Sequence, residues 1–145
     1  MRKIDGCTQI INNIESSNRS FITIQTLDLP SAYLNRGYAY VAISKRDDAR
    51  SDIDKAIELQ PKLAMAYNNL GWLDGEAGKL ESADRNLKQA TSLDPKLELA
   101  WNNRCSLQVK MENHSNALKI CTRAIELSPK YSDNFVYRSY AYLSL

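Results

Sequence analysis

Several residue types are scarce in this chain of 145 residues, and each scarcity excludes something. It holds one histidine, three cysteines, two phenylalanines, five glycines and four prolines. His114 has no cysteine or carboxylate at ligand spacing, so no metal site is expected. Cys7, Cys105 and Cys121 are odd in number and form no CxxC; they read as buried free thiols acting as small hydrophobes. No sign of charge dominates. Nineteen Lys+Arg against 17 Asp+Glu leave a net charge of +2, a poor footprint for nucleic acid or an anionic membrane surface. No apolar run approaches the roughly 18 residues of a membrane span. The opening Met1-Arg2-Lys3-Ile4-Asp5-Gly6-Cys7 has basic residues with no apolar segment behind them. It is therefore not a secretory signal, and a cytoplasmic location is the expectation. A glycine-rich phosphate loop, a nucleophile with its base and a metal motif are all missing, so neither enzymatic activity nor a cofactor is expected. The acidic pairs Asp47-Asp48 and Asp52-Asp54 fall on an amphipathic segment and read as a solvated face.

What the chain does have is a ruler. Pro61, Pro95 and Pro129 are spaced by 34 residues, and so are Ala49, Ala83 and Ala117. Ala56, Ala90 and Ala124 keep the same period, as do Leu59, Leu93 and Leu127 and the aromatic series Tyr33, Tyr67, Trp101 and Phe135. A period of about 34 is the length of a helix–turn–helix solenoid repeat. Each repeat reads as a helix A and a helix B. Helix A is expected at about 31–43, 64–77 and 98–111, and helix B at about 47–59, 80–93 and 115–127. A last helix A, at about 132–143, has no partner. Gly78 stands where helix A must turn, a favoured place for left-handed geometry, and the prolines end each helix B. Gly71 and Ala83 recur where the two helices cross, because a missing or one-carbon side chain lets the axes approach to about 8 Å. Near the start, Lys3–Ile11 echoes Lys119–Ile125, so the N-terminus looks like a lone helix B; residues 15–29 read as an irregular linker.

These residues resemble the tetratricopeptide repeat (TPR) family. In the second repeat Tyr67, Leu70, Gly71, Ala83, Leu87, Ala90 and Pro95 match its signature. Cys105 and Ser139 depart from it at the helix A glycine, and Arg36, Arg104 and Arg138 at its leucine. The resemblance implies an all-α, right-handed superhelical solenoid of antiparallel helix pairs, with three full repeats and flanking half-repeats. Residues 1–145 would be one domain, divided into 1–29 (helix and linker), 30–63, 64–97, 98–131 and a partial repeat at 132–145. Helix A would line a concave groove that binds a peptide or partner protein.

In that register Asn35, Asn69 and Asn103 occupy one place in three successive A helices, which the family turns toward the groove. An extended peptide rises about 3.3 Å per residue, so A helices spaced by about 10 Å would set one amide against every third residue. An amide donates and accepts at once, matching a backbone N–H and C=O. The row resembles the asparagine ladder of the O-linked N-acetylglucosamine transferase repeats, but asparagine is also common there simply as a groove-solvating residue. Tyr137 takes the same place in the last half-repeat. Specificity would come from Tyr38, Met65, Asn68, Trp72, Leu99, Asn102, Ser106 and Tyr140 on the same face, some of which could instead pack against the next repeat. The basic clamp with which some family members hold an acidic chaperone tail is missing: its places carry Leu34, Tyr38, Asn69, Leu99 and Asn103, and only Asn69 fits. The arginines Arg36, Arg104 and Arg138 should turn toward helix B, Arg36 toward a carboxylate such as Asp52 or as a solvated stem.

The leading expectation is a protein-interaction module that grips an extended, largely uncharged segment. The alternative is a self-assembling or structural segment, a homo-oligomer formed through the last helix with its Tyr137, Tyr140, Tyr142, Leu143 and Leu145, or a fragment of a larger protein.

Overall fold

The computed structural model describes residues 2–16 and 28–145. Among the described residues are eight helices and no strand: α1 (Arg2–Ser16), α2 (Leu29–Ala42), α3 (Arg46–Leu59), α4 (Ala64–Glu76), α5 (Leu80–Leu93), α6 (Glu98–Lys110), α7 (His114–Leu127) and α8 (Asp133–Leu143). The fold is an all-α solenoid in which α2, α4, α6 and α8 are A helices. The expected linker at 15–29 is helical at both edges, and its residues 17–27 lie outside the described residues.

The ruler sets the helix ends. Gln60, Asp94 and Ser128, each directly before a proline, cap α3, α5 and α7 with φ of −138°, −135° and −134°. Such extended backbone is what proline imposes on the residue before it. The turn from A to B passes through a left-handed residue in every repeat: Ser44 (φ 61°), Gly78 (φ 73°) and Glu112 (φ 56°). Only Gly78 adopts it without a Cβ penalty. Helix α2 starts at Leu29, two residues ahead of the expected 31. The Asp28 carboxylate accepts the Ser31 N–H at 3.3 Å and Pro30 sits in the first turn, two features that start helices.

The described residues form two compact units, Met1–Ala66 and Tyr67–Leu145. In the first, α1 and α3 both pack against α2. Ile11 is buried, and the Tyr33 hydroxyl donates to the Glu15 carboxylate across the α1–α2 contact. Burial, then that hydrogen bond, pushes the Tyr33 phenol up to about 12. Arg36 donates from Nε and Nη2 to the two Asp52 oxygens, both at 2.7 Å. This bidentate bond raises the Arg36 pKa. It also corrects one expectation. Asp52 is buried against α2, whereas Asp47, Asp48 and Asp54 are exposed. The period places Asp52 between the buried Ala49 and Ile53, on the inner rather than the outer face.

The same crossing recurs in both units. A Cβ on Gly37 would stand 3.1 Å from Ile53 Cγ1 and from the Ala49 carbonyl oxygen. A Cβ on Gly71 would stand 2.5 Å from Leu87 Cγ. Ala49, Ala83, Ala117, Ala56, Ala90 and Ala124 are all fully enclosed. In the third repeat the two touching places hold Cys105 and Cys121, and they form a disulfide with Cα atoms 4.7 Å apart. Two of the expected free thiols are therefore bonded to each other, and Cys7 is the free cysteine. Each cysteine does sit in its buried register; what links them is that these registers meet wherever helix A crosses helix B.

In the second unit the hairpins are also closed by matched polar pairs. Ser82 Oγ donates to the buried Asp74 at 2.7 Å, and one period later Asn116 Nδ2 donates to Gln108 Oε1 at 2.7 Å. Asn86 adds a 2.9 Å bond to Asp74, and Gln108 reaches back to Asp84 at 2.8 Å.

The disulfide closes a separation of 16 residues. Its reduction should lower stability by about 2–3 kcal/mol, read as the shift in urea midpoint with and without reductant. Denatured but unreduced chain should titrate one thiol, that of Cys7; three would show that the bond does not form. Such bonds persist in oxidising compartments and are rare in the reducing cytosol, so the count also reports where the chain has been.

Candidate functional site

The expected ligand-facing residues divide by unit. In the first, Asn35 and Tyr38 on α2 are exposed, Tyr38 by 67%, and Met65 at the start of α4 is half-buried. Tyr38 is exposed, although Leu34, one turn earlier on the same side of the helix, is buried.

In the second unit the asparagines are wired together. Asn68 is buried; its Nδ2 donates to Asn69 Oδ1 at 3.2 Å, and its Oδ1 accepts from Asn103 Nδ2 at 2.9 Å. Asn102 is buried as well and accepts from Asn134 Nδ2 at 2.7 Å. The amides of Asn68 and Asn102 therefore join α4 to α6 and α6 to α8, rather than standing open in a groove. Asn134 occupies the place held by Ala32, Ala66 and Ala100 in earlier repeats, and its Oδ1 is enclosed without a partner. Asn69 and Asn103, half-exposed, keep part of their amide capacity. Asn103 spends one N–H on Asn68, leaving Oδ1 and a second N–H.

Beside Asn103 lies a cavity of about 450 Å³. Trp72, Gly71 and Gly75 of α4, Ser106 and Val109 of α6, and Tyr137 of α8 are among the residues around it. Trp72 is 38% exposed, and Tyr137 has its other side against Cys105, Ile120 and Cys121. Partial burial, then the nearby Asp133 carboxylate, raises the pKa of Tyr131, another lining residue. Gly75, Val109 and Tyr131 were not among the residues anticipated from sequence. Leu99 and Tyr140 are exposed and do not line this cavity. Tyr140 stands edge-on to His114, ring centroids 5.8 Å apart.

The arginine register behaves differently in each unit. Arg36 finds Asp52, but the equivalent of Asp52 in the third repeat is Ile120. Arg104 instead donates to Thr91 Oγ1 at 2.9 Å and lies 5.2 Å from the Trp101 ring centroid, and its Nε is buried without a partner. Burial lowers its pKa. Among the described residues no His/Cys/Asp/Glu group could hold a metal ion, and no helix is long and apolar enough to cross a membrane.

Compared with known families, residues 30–63, 64–97 and 99–131 match the tetratricopeptide repeat. The chain belongs to the tetratricopeptide repeat family. Its TPR fold is shared with solved structures of low identity. The first TPR of Spaghetti (RPAP3), bound to the HSP90 peptide SRMEEVD, is 17% identical with a TM-score of 0.75, covering 79% of this chain and 94% of that one. MamA is 19% identical at 0.77, covering 97% and 77%. A Thermobaculum terrenum O-GlcNAc transferase is 21% identical at 0.72, covering 77% of this chain but 22% of its own. The sequence matches no curated protein.

The rung through Asn68 yields a prediction. Asn68→Ala removes a buried hydrogen-bonding hub and should cost about 1–3 kcal/mol, whereas Asn69→Ala should cost under about 1 kcal/mol. Chemical denaturation of the two variants checks this; equal losses would mean that the rung does not hold α4 to α6.

Proposed function

We propose that the chain is a protein-interaction module whose A helices grip an extended, largely uncharged partner segment, with Asn69 and Asn103 of the second unit holding its main chain and Asn35 offering the equivalent amide in the first. The observation that carries this reading is the 450 Å³ cavity beside Asn103, walled by Trp72 and Tyr137 from other A helices. Residual amide capacity lies next to aromatic walls, a pairing suited to main-chain grip plus side-chain anchoring. Family membership supports the same reading, as does the peptide carried by the Spaghetti TPR. That peptide, SRMEEVD, is acidic. The basic clamp it would require is missing here, so this module should prefer a different ligand chemistry.

A second reading, self-association through α8, is favoured by the exposure of Val136, Tyr140, Tyr142 and Leu143 on that helix. Sedimentation separates the two. A mass that rises between micromolar and millimolar chain supports assembly, and a constant monomer removes it.

The groove reading is tested on a peptide array probed with wild-type chain and with the Asn35→Ala/Asn69→Ala/Asn103→Ala variant. Three lost hydrogen bonds at about 0.5–1.5 kcal/mol each should weaken the best peptides roughly tenfold or more; because Asn103 also donates to Asn68, Asn69→Ala alone, which leaves that rung in place, should show its share of the loss. A wild-type preference for acidic peptides such as SRMEEVD, or an array pattern indifferent to the three alanines, would sink it.

A further inference from the structure

The internal ruler shows one place where this chain breaks its own groove. Val41, Gly75, Val109 and Leu143 are equivalent, spaced by 34 residues. Three of the four carry an aliphatic side chain, and the second repeat carries none.

Nothing in the packing asks for that glycine. Gly71, one turn earlier on α4, is required: its Cβ would stand 2.5 Å from Leu87 Cγ. A Cβ on Gly75 would meet only Ala83 Cβ, at 3.9 Å, an ordinary contact. Gly75 does not make the turn either. The left-handed residue is Gly78, beyond the end of α4. Gly75 lines the 450 Å³ cavity together with Trp72, Val109 and Tyr131, and a side chain added there would meet little else.

Charge narrows what would enter. The lining holds one carboxylate, Glu76, and one ammonium, Lys110. Lys110 Nζ donates to the Gly75 carbonyl at 2.8 Å, capping the C-terminal turn of α4 as a cation does at a helix end. With one charge of each sign, and the positive one tied to the backbone, a charged side chain of either sign gains no net attraction. A neutral, bulky side chain gains the Trp72 and Tyr131 faces and displaces water from an otherwise unfilled place.

We infer that Gly75 opens a side-chain pocket in the second unit that receives one bulky apolar residue of an uncharged, extended partner segment. The inference rests on the groove-binding reading above and adds to it the anchor residue. Gly75 acts by absence, as a specificity position, while Asn69 and Asn103 hold the main chain beside it.

The probe is a displayed library of random twelve-residue peptides, selected separately on wild-type chain and on Gly75→Ala and Gly75→Val. Wild type should enrich peptides in which one position is Leu, Ile, Met, Phe or Trp. By calorimetry the affinity of the best such peptide should fall stepwise through Ala to Val, by about tenfold or more for Val, the scale on which a hydrophobic pocket discriminates a methylene or two. Thermal melts of both variants should match or exceed wild type, since each adds a better helix former with room to fit. Gly75→Ala keeps the test open if the valine variant fails to fold. Undiminished affinity for both variants, in peptides that do lose binding to Asn69→Ala/Asn103→Ala, would overturn the pocket and leave the groove reading standing. A charged residue enriched at the anchor position would also overturn the pocket. Enrichment of no peptide by wild-type chain would overturn both.

Discussion

The crossing of helix A over helix B is the contact on which the rest of the structure depends. At Gly71 the axes come so close that one added carbon would stand 2.5 Å from Leu87 Cγ, and at Gly37 it would be a tight 3.1 Å from Ile53 Cγ1. The alanines facing and flanking this contact are fully enclosed. Close-packed interiors do not absorb extra volume, so these places are fixed by sterics and repeat with the period of the chain. Once the crossing is fixed, the outer registers of helix A follow from helical spacing. The third repeat meets the same constraint covalently: cysteines stand at both touching places, with their Cα atoms 4.7 Å apart.

Because period and packing share one cause, most of the fold was legible in the sequence. The prolines and the buried alanines each have a single-residue signal that recurs, whereas the left-handed turn recurs but only Gly78 signals it. What was not legible lies in pairings between registers. Asp52 was grouped with the exposed acids, while its pairing with Arg36 stood as one of two readings that spacing alone did not separate. Cys105 and Cys121 were assigned to the core separately, and nothing in either register alone says that the two meet. Asn68 and Asn102 have the composition of a ligand surface, yet their amides are spent on neighbouring helices. A one-dimensional pattern tells which face a residue takes, but not whether its hydrogen-bonding capacity is already consumed.

The asparagines illustrate how one residue type serves two ends. Asn68 and Asn103 join two A helices through a buried amide contact. A buried amide left unpaired is costly, so this rung constrains the relative position of α4 and α6. It thereby holds Asn69 and Asn103 in place, a prerequisite for main-chain recognition by groups that must be preorganised. Stability and the proposed recognition draw on adjacent positions of the same helix. A substitution at 68 and one at 69 are therefore different experiments, though the sequence shows only Asn-Asn.

Departures from the ruler carry the information that the ruler cannot. Buried residues that keep the period, such as the alanines, are accounted for by packing, because every repeat needs them. Residues that break it need a separate cause. Ile120 breaks it where Asp52 stands, and Arg104 is left to find Thr91 and Trp101, with a buried Nε unpaired. Asn134 breaks it in an alanine place, with a buried oxygen unpaired. Both leave unsatisfied polar atoms, the mark of a place where packing has been compromised. Gly75 breaks the pattern without leaving any such mark. It removes a side chain whose place is open and adds volume to a cavity lined by aromatic and amide groups. Neither packing nor a left-handed backbone accounts for that glycine, which sets it apart from Gly37, Gly71 and Gly78.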